Sequence, residues 1–156
     1  IFHREIKVMT YPTTLSESLA VIGVIDPKSY DAETVYTTAI EMNRVNQLIA
    51  IVSIGAVAGS GTVDFALQQS LTSGGSYTTI DDGVTPKSMT TVTSDDNKQV
   101  IISLDASEIG TAKPFVKGNL TVAVAAAVVG VVILGSTARY DPASEFDLSS
   151  VIEIIK

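Results

Sequence analysis

The chain contains no cysteine and no tryptophan, a single histidine, and few aromatic residues, 6% in all. Without cysteine neither a disulfide nor a thiolate metal site can form, so packing or assembly must hold the fold. The one histidine, His3, stands in a terminal segment with no nucleophile motif near it. A Ser/His/Asp or Cys/His system would have to be built around it, so no enzyme is expected. With so few aromatics, Val, Ile, Leu and Ala must fill the core, a composition that favours strands. Lys and Arg together number 10 against 17 acids, a net charge of −7. Such a surface repels phosphate backbones, and no basic cluster interleaved with aromatics offsets it, so direct nucleic-acid binding is not expected. No basic segment precedes an apolar run near residue 1, so no cleavable signal pattern is expected either.

A long apolar run is also missing. The most apolar segment, LTVAVAAAVVGVVIL at 120–134, is 15 residues long, short of the ~20 that a membrane helix needs. It reads as a hairpin buried on both faces and turning near 126–130. No membrane partner is expected.

What is present is the composition of one packed domain. A chain of 156 residues, 46% of them hydrophobic and 17% charged, can bury roughly 68–70% of its unfolded surface around one core. In the stretch 62–68, Val63, Phe65 and Leu67 alternate with Thr62, Asp64, Ala66 and Gln68, the period of a strand with one buried face. Val100, Ile102 and Leu104 repeat that pattern, as do Leu120, Val122 and Val124, so these eight side chains are the expected core. Leu19 opens a buried strand that Asp26-Pro27 is expected to end. Residues 29–34 read as a polar loop, 40–42 and 89–93 as short strands, and 48–54 as an apolar one. Turns are expected at 55–61 and at Ser73-Gly74-Gly75-Ser76. Asp105, Glu108 and Gly110 spell a cap, its reciprocal partner and a stop for a single helical turn. The stretch 146–156 is the only other place with a possible helical period. The total is eight or nine short strands, which predicts an all-β antiparallel β-sandwich, jelly-roll-like, with an extended N-terminal arm. The arm is assigned to 1–14 and the single sandwich domain to 15–156.

Other chemistry is thin. Asp81, Asp82, Asp95 and Asp96 fall in turn-like clusters, where they serve as turn formers that bond their own backbone. Neither cluster shows the alternating ligand spacing of a calcium loop, so no metal is expected. The glycine-rich stretch 55–61 lacks the lysine of a phosphate loop and leads into a strand, so it reads as a hairpin turn. No cofactor is expected.

The run VDFALQQSLTSGGSYTTI, then SDDNKQVIISLDASEIG, a valine/alanine hairpin, and ARYDPASEFDLSSVIEII resemble small virion structural proteins of tailed bacteriophages. The likeness covers most of the chain, from about Met9, where MTYPT stands, to the tail DLSSVIEI. It implies a non-enzymatic capsid cement or decoration protein on the outer surface of the virion. Its partner would be the shell of major capsid protein, and it would form a homo-oligomer, a dimer or trimer. The alternative is a carbohydrate-binding, host-recognition sandwich on the virion, for which the aromatic content offers a thin sugar-stacking platform.

The arm carries the candidate partner contacts. Phe2, Ile6, Val8, Met9 and Tyr11 are apolar, and Pro12 separates them from the first core strand. Free in water they would expose apolar surface. They are expected to pack on a neighbouring subunit or capsid protein, with Arg4 and Lys7 meeting acidic groups there. Pairing within the chain's own sandwich is the competing arrangement.

Overall fold

The computed structural model describes residues 14–81, 83, 85–110, 112–136 and 143–155. After a single helical turn, α1 (Leu15–Ser18), come ten strands among the described residues. They are β1 (Leu19–Tyr30), β2 (Thr34–Tyr36), β3 (Ile40–Glu41), β4 (Gln47–Val57), β5 (Thr62–Ser70), β6 (Thr78–Thr79), β7 (Ser88–Val92), β8 (Gln99–Asp105), β9 (Phe115–Ala123) and β10 (Ala127–Ser136). They form two antiparallel sheets. One has the order β1-β10-β4-β8. In the other, β9 and β5 form the centre, with β2 and β3 on the free side of β9 and β6 and β7 on the free side of β5. Counting β2/β3 and β6/β7 as one interrupted strand each leaves eight strands, ordered 1-8-3-6 and 2-7-4-5. That is the wiring of a jelly roll.

The core lies between the sheets and follows the alternation in the sequence. Phe65, Leu67, Ile102, Leu104, Leu120 and Val122 are buried, and Val100 is half-buried against them. Val124 departs from the expectation: it is 72% exposed, with φ at 71°. The alternating run breaks because β9 ends at Ala123 and the Ala125 N–H donates to the Ala123 carbonyl at 2.9 Å. The hairpin therefore turns at 124–126, earlier than the expected 126–130, and Gly130 sits inside β10. A Cβ on Gly130 would lie 2.9 Å from Pro27 Cβ.

The same proline accounts for a second departure. Asp26-Pro27 does not end the first strand, which runs on to buried Tyr30 with a register shift between Ile25 and Lys28. Proline lacks an N–H, but a bulge in an edge strand requires none. The polar loop expected at 29–34 shrinks accordingly to the three residues between β1 and β2. Residues 146–155 form no helix beyond the last residue of a 3₁₀ turn at Ala143–Phe146. They run instead beside β1, where the Leu148 N–H donates to the Val21 carbonyl at 2.8 Å and the Val21 N–H donates to Asp147 Oδ1.

The turn after β8 matches its sequence signal. Ser107 N–H donates to Asp105 Oδ1 at 2.9 Å and Asp105 N–H donates to Glu108 Oε2 at 2.7 Å, closing a capping box over Ala106–Glu108. Between β2 and β3, buried Thr37 does the work of a missing strand pair. Its N–H donates to the Gly118 carbonyl at 2.9 Å, and its Oγ1 accepts from the Gly118 N–H at the same distance. No described helix is long and apolar enough to cross a membrane.

Candidate functional site

The outward surfaces of the two sheets differ in chemistry. On the β9–β5 sheet, the outward positions carry Asp64, Gln68, Lys117, Asn119 and Thr121, polar groups expected of a face in water. Two of them pair with hydroxyls on the flanking strands: Thr90 Oγ1 donates to Asp64, and the hydroxyls of Thr34 and Thr121 lie 3.0 Å apart. On the β1-β10-β4-β8 sheet, the middle of the outward face is apolar, with Gln47, Asp105, Ser53 and Gln99 toward its ends.

Register makes that apolar face continuous. Val24 pairs with Val132, Val132 with Ile51, and Ile51 with Ile101, so four β-branched side chains form one row across four strands. The adjoining row is Val21, Leu134, Ile49 and Ser103. Directly opposed side chains on one face of a sheet stand 4.5–5.5 Å apart, so each row is a band of touching groups. No charged side chain occurs in either row. Ile101 is 62% exposed and Val132 40%, and the remaining apolar members are half-buried. Val128, further along β10, is also exposed.

Next to these rows the surface sinks into a groove of about 510 Å³, floored by Leu19, Leu134 and Ile49 and closed at the β8 end by Asp105 and Glu108. Lys87 Nζ lies 2.6 Å from Glu108 Oε1 at that end. Asp105 is held below the usual carboxylate range, first by the Ser107 N–H, then by the Ser107 hydroxyl and the Gln47 amide, so the rim stays anionic. At the β1 end, Leu15 of α1, Leu19, Val21 and Leu134 line a second hollow with Val151 and Ile154. The C-terminal segment thus covers one corner of the face and leaves Ile152 exposed.

The sequence-predicted contact residues Phe2, Arg4, Ile6, Lys7, Val8, Met9 and Tyr11 lie outside the described residues, as does His3. Asp81 and Asp95 act as turn formers, whereas Asp96 departs from that expectation and binds the backbone of β4, 39 residues away in sequence. Asp81 Oδ1 accepts from the Gly83 N–H at 2.8 Å, and Asp95 Oδ2 from the Val92 N–H at 3.2 Å. Asp96 Oδ1 accepts from the Val57 N–H at 3.0 Å. Asp82 lies outside the described residues. Asp95 is held low by that Val92 bond and by Lys98, whose Nζ is 3.2 Å away. Among the described residues no three Asp, Glu or His side chains converge as metal ligands would.

The apolar outer face is absent from the candidate residues read off the sequence, yet its signal was there. The runs LIAIVSI in β4 and VVGVVIL in β10 do not alternate, as a sheet buried on both faces requires. The sequence reading takes 120–134 as a hairpin buried on both faces and 48–54 simply as an apolar strand, and neither reading separates an inner face from an outer one.

No protein-family profile and no curated protein matches the chain. Among solved structures it is similar to a chain from tobacco necrosis virus, at 9% identity and a TM-score of 0.33, covering 80% of this chain and 95% of that one.

Proposed function

We propose that the protein is a non-enzymatic structural component of a phage virion, a cement or decoration protein seated on the shell of major capsid protein. The observation that carries this reading is the outer face of the β1-β10-β4-β8 sheet. Soluble monomers rarely leave a contiguous apolar patch of this kind in water, and one rimmed by polar groups marks a protein interface. A jelly-roll body held without disulfides suits a repetitive coat. The net charge of −7 suits the outside of a DNA-filled shell better than its inside. The phage-like segments noted in the sequence point the same way.

The test uses a substitution that the fold tolerates. Ile101 is 62% exposed, so Ile101→Asp should cost about 1 kcal/mol of folding stability, the span of strand propensity, and leave the domain folded. It should lower co-sedimentation with empty capsids at least tenfold. Undiminished co-sedimentation of a folded Ile101→Asp protein would remove the outer face from the interface. Absence of binding by the unsubstituted protein, with retention on a glycan array, would favour the host-recognition alternative.

A further inference from the structure

We infer that the protein pairs with a second copy of itself through β8, edge to edge about a two-fold axis at Ile101. This does not rest on the virion reading, since it concerns the isolated protein. β8 is the last strand of the β1-β10-β4-β8 sheet, and its ladder shows which backbone groups are already bonded. The Ile54 N–H donates to the Lys98 carbonyl at 2.9 Å, and the Ala106 N–H donates to the Asn46 carbonyl at 2.8 Å. Bonded pairs alternate along an antiparallel ladder, so Val100, Ile102 and Leu104 carry the bonds to β4. Gln99, Ile101 and Ser103, all exposed, turn N–H and C=O away from the sheet. Among the described residues no backbone group meets them.

The chemistry of this segment is symmetric about Ile101, and that symmetry selects the partner. Val100 and Ile102 flank it, and neutral polar Gln99 and Ser103 stand one place further out. An antiparallel copy with its axis at Ile101 sets Ile101 against Ile101 and Gln99 against Ser103. Each copy's three N–H and three C=O groups then find partners, as an isologous contact requires. The neighbouring registers fail. With the axis at Ile102, Gln99 would oppose Asp105, whose N–H already donates to Glu108 Oε2 at 2.7 Å. With the axis at Val100, Ser103 would oppose Asn97, whose N–H already donates to the Gly55 carbonyl at 3.3 Å.

Side chains agree with the backbone. The axis stands perpendicular to the sheet, so both copies keep their apolar faces on one side. The row Val24, Val132, Ile51 and Ile101 runs on through the second copy's Ile101 into the same row reversed. No charge occurs from Gln99 to Leu104 to set like against like, and Lys98 falls opposite Leu104.

In sedimentation equilibrium the unsubstituted protein should shift from one chain mass to two as its concentration rises from micromolar to millimolar. The amides of Gln99, Ile101 and Ser103 should exchange with solvent at least about tenfold more slowly at the higher concentration. A single chain mass throughout, or exchange at these amides that ignores concentration, would overturn the pairing. Two substitutions locate it. The Ser103 N–H makes no bond to β4, so Ser103→Pro leaves that ladder whole, keeps the apolar row, and should give a folded monomer. A Ser103→Pro dimer as strong as the parent's would sink the inference. The chain has no cysteine, so Ile101→Cys places its one thiol on the axis. Facing Cα atoms there stand about 5.5 Å apart, within disulfide reach. Mild oxidation should link Ile101→Cys into covalent dimers while Val124→Cys, at a site 72% exposed against 62% for Ile101, keeps its thiol. Equal linkage of the two variants would also refute β8 as the contact.

Discussion

Gly118 gives the most demanding test of how this core is packed. It lies in β9 with its missing side chain directed at the interior, where a Cβ would sit 2.9 Å from Phe65 Cε2 and Cζ and 3.2 Å from Thr37 Cγ2. Its φ is not in the left-handed region, so alanine suits the backbone and would gain about 0.4–1 kcal/mol by restricting the unfolded chain. Against that stands the clash. The Phe65 ring is 1% exposed and Thr37 is fixed by its bonds to Gly118, so neither neighbour can step aside freely. Forcing a methyl into such a site costs about 1–3 kcal/mol. The clash wins, and Gly118→Ala should lose about 0.5–2 kcal/mol in urea unfolding with an unchanged m-value. For a chain of this length each 1 kcal/mol lowers the melting temperature by roughly 2–4 °C. Phe65→Leu destabilises by itself because it removes buried ring atoms, but it opens the space that the alanine methyl needs. The double variant should therefore be more stable than the sum of the two changes predicts, by at least ~0.5 kcal/mol. Gly118→Ala as stable as the parent, or strict additivity in the cycle, would refute the close approach of ring and strand.

Two further outcomes follow from groups near the sheets. Thr37→Val should cost about 1–3 kcal/mol in urea unfolding, because it leaves the buried Gly118 N–H without an acceptor, whereas Thr37→Ser, which keeps the oxygen, should cost less. Asp105 has a folded-state pKa below its unfolded value, so its contribution is fully present above the ordinary carboxylate pKa of ~3.9 and fades as the pH falls through the lowered value. Thermal unfolding of Asp105→Asn should consequently fall less steeply with acid below about pH 4 than that of the parent, and identical acid limbs would sever the link between this cap and acid stability.

Much of the fold was legible because strand period and turn chemistry are local. Val63, Phe65 and Leu67 alternate with polar residues, and alternation has one physical reading when a face is buried. The cap formed by Asp105 and Glu108 is equally local, since its bonds span three residues. What escaped was decided by neighbours distant in sequence. Pro27 would end most strands, but β1 lies at an edge and Gly130 leaves room for the ring, a fact visible only once β1 and β10 are side by side. Val124 continues the apolar alternation on paper, while the tight reversal into β10 claims it for a turn. The outer face was half legible. The unbroken apolar runs of β4 and β10 announce burial on two sides, yet only the register of four strands shows that Val24, Val132, Ile51 and Ile101 form one band.

The two edges of that sheet are treated very differently. β1 is interrupted by Pro27 and a register shift, flanked by Asp26 and Lys28, and bonded at Val21 by the C-terminal segment. Among the described residues β8 has none of these guards. From Gln99 to Leu104 it carries no charge and no proline, and its pairing with β4 turns the backbone groups of Gln99, Ile101 and Ser103 outward. An exposed edge of this kind invites another strand. Because only one side of the sheet is open, such growth is self-limiting. Two copies joined β8 to β8 would present a guarded β1 at each far edge of the shared sheet, so growth along that sheet would stop at a pair.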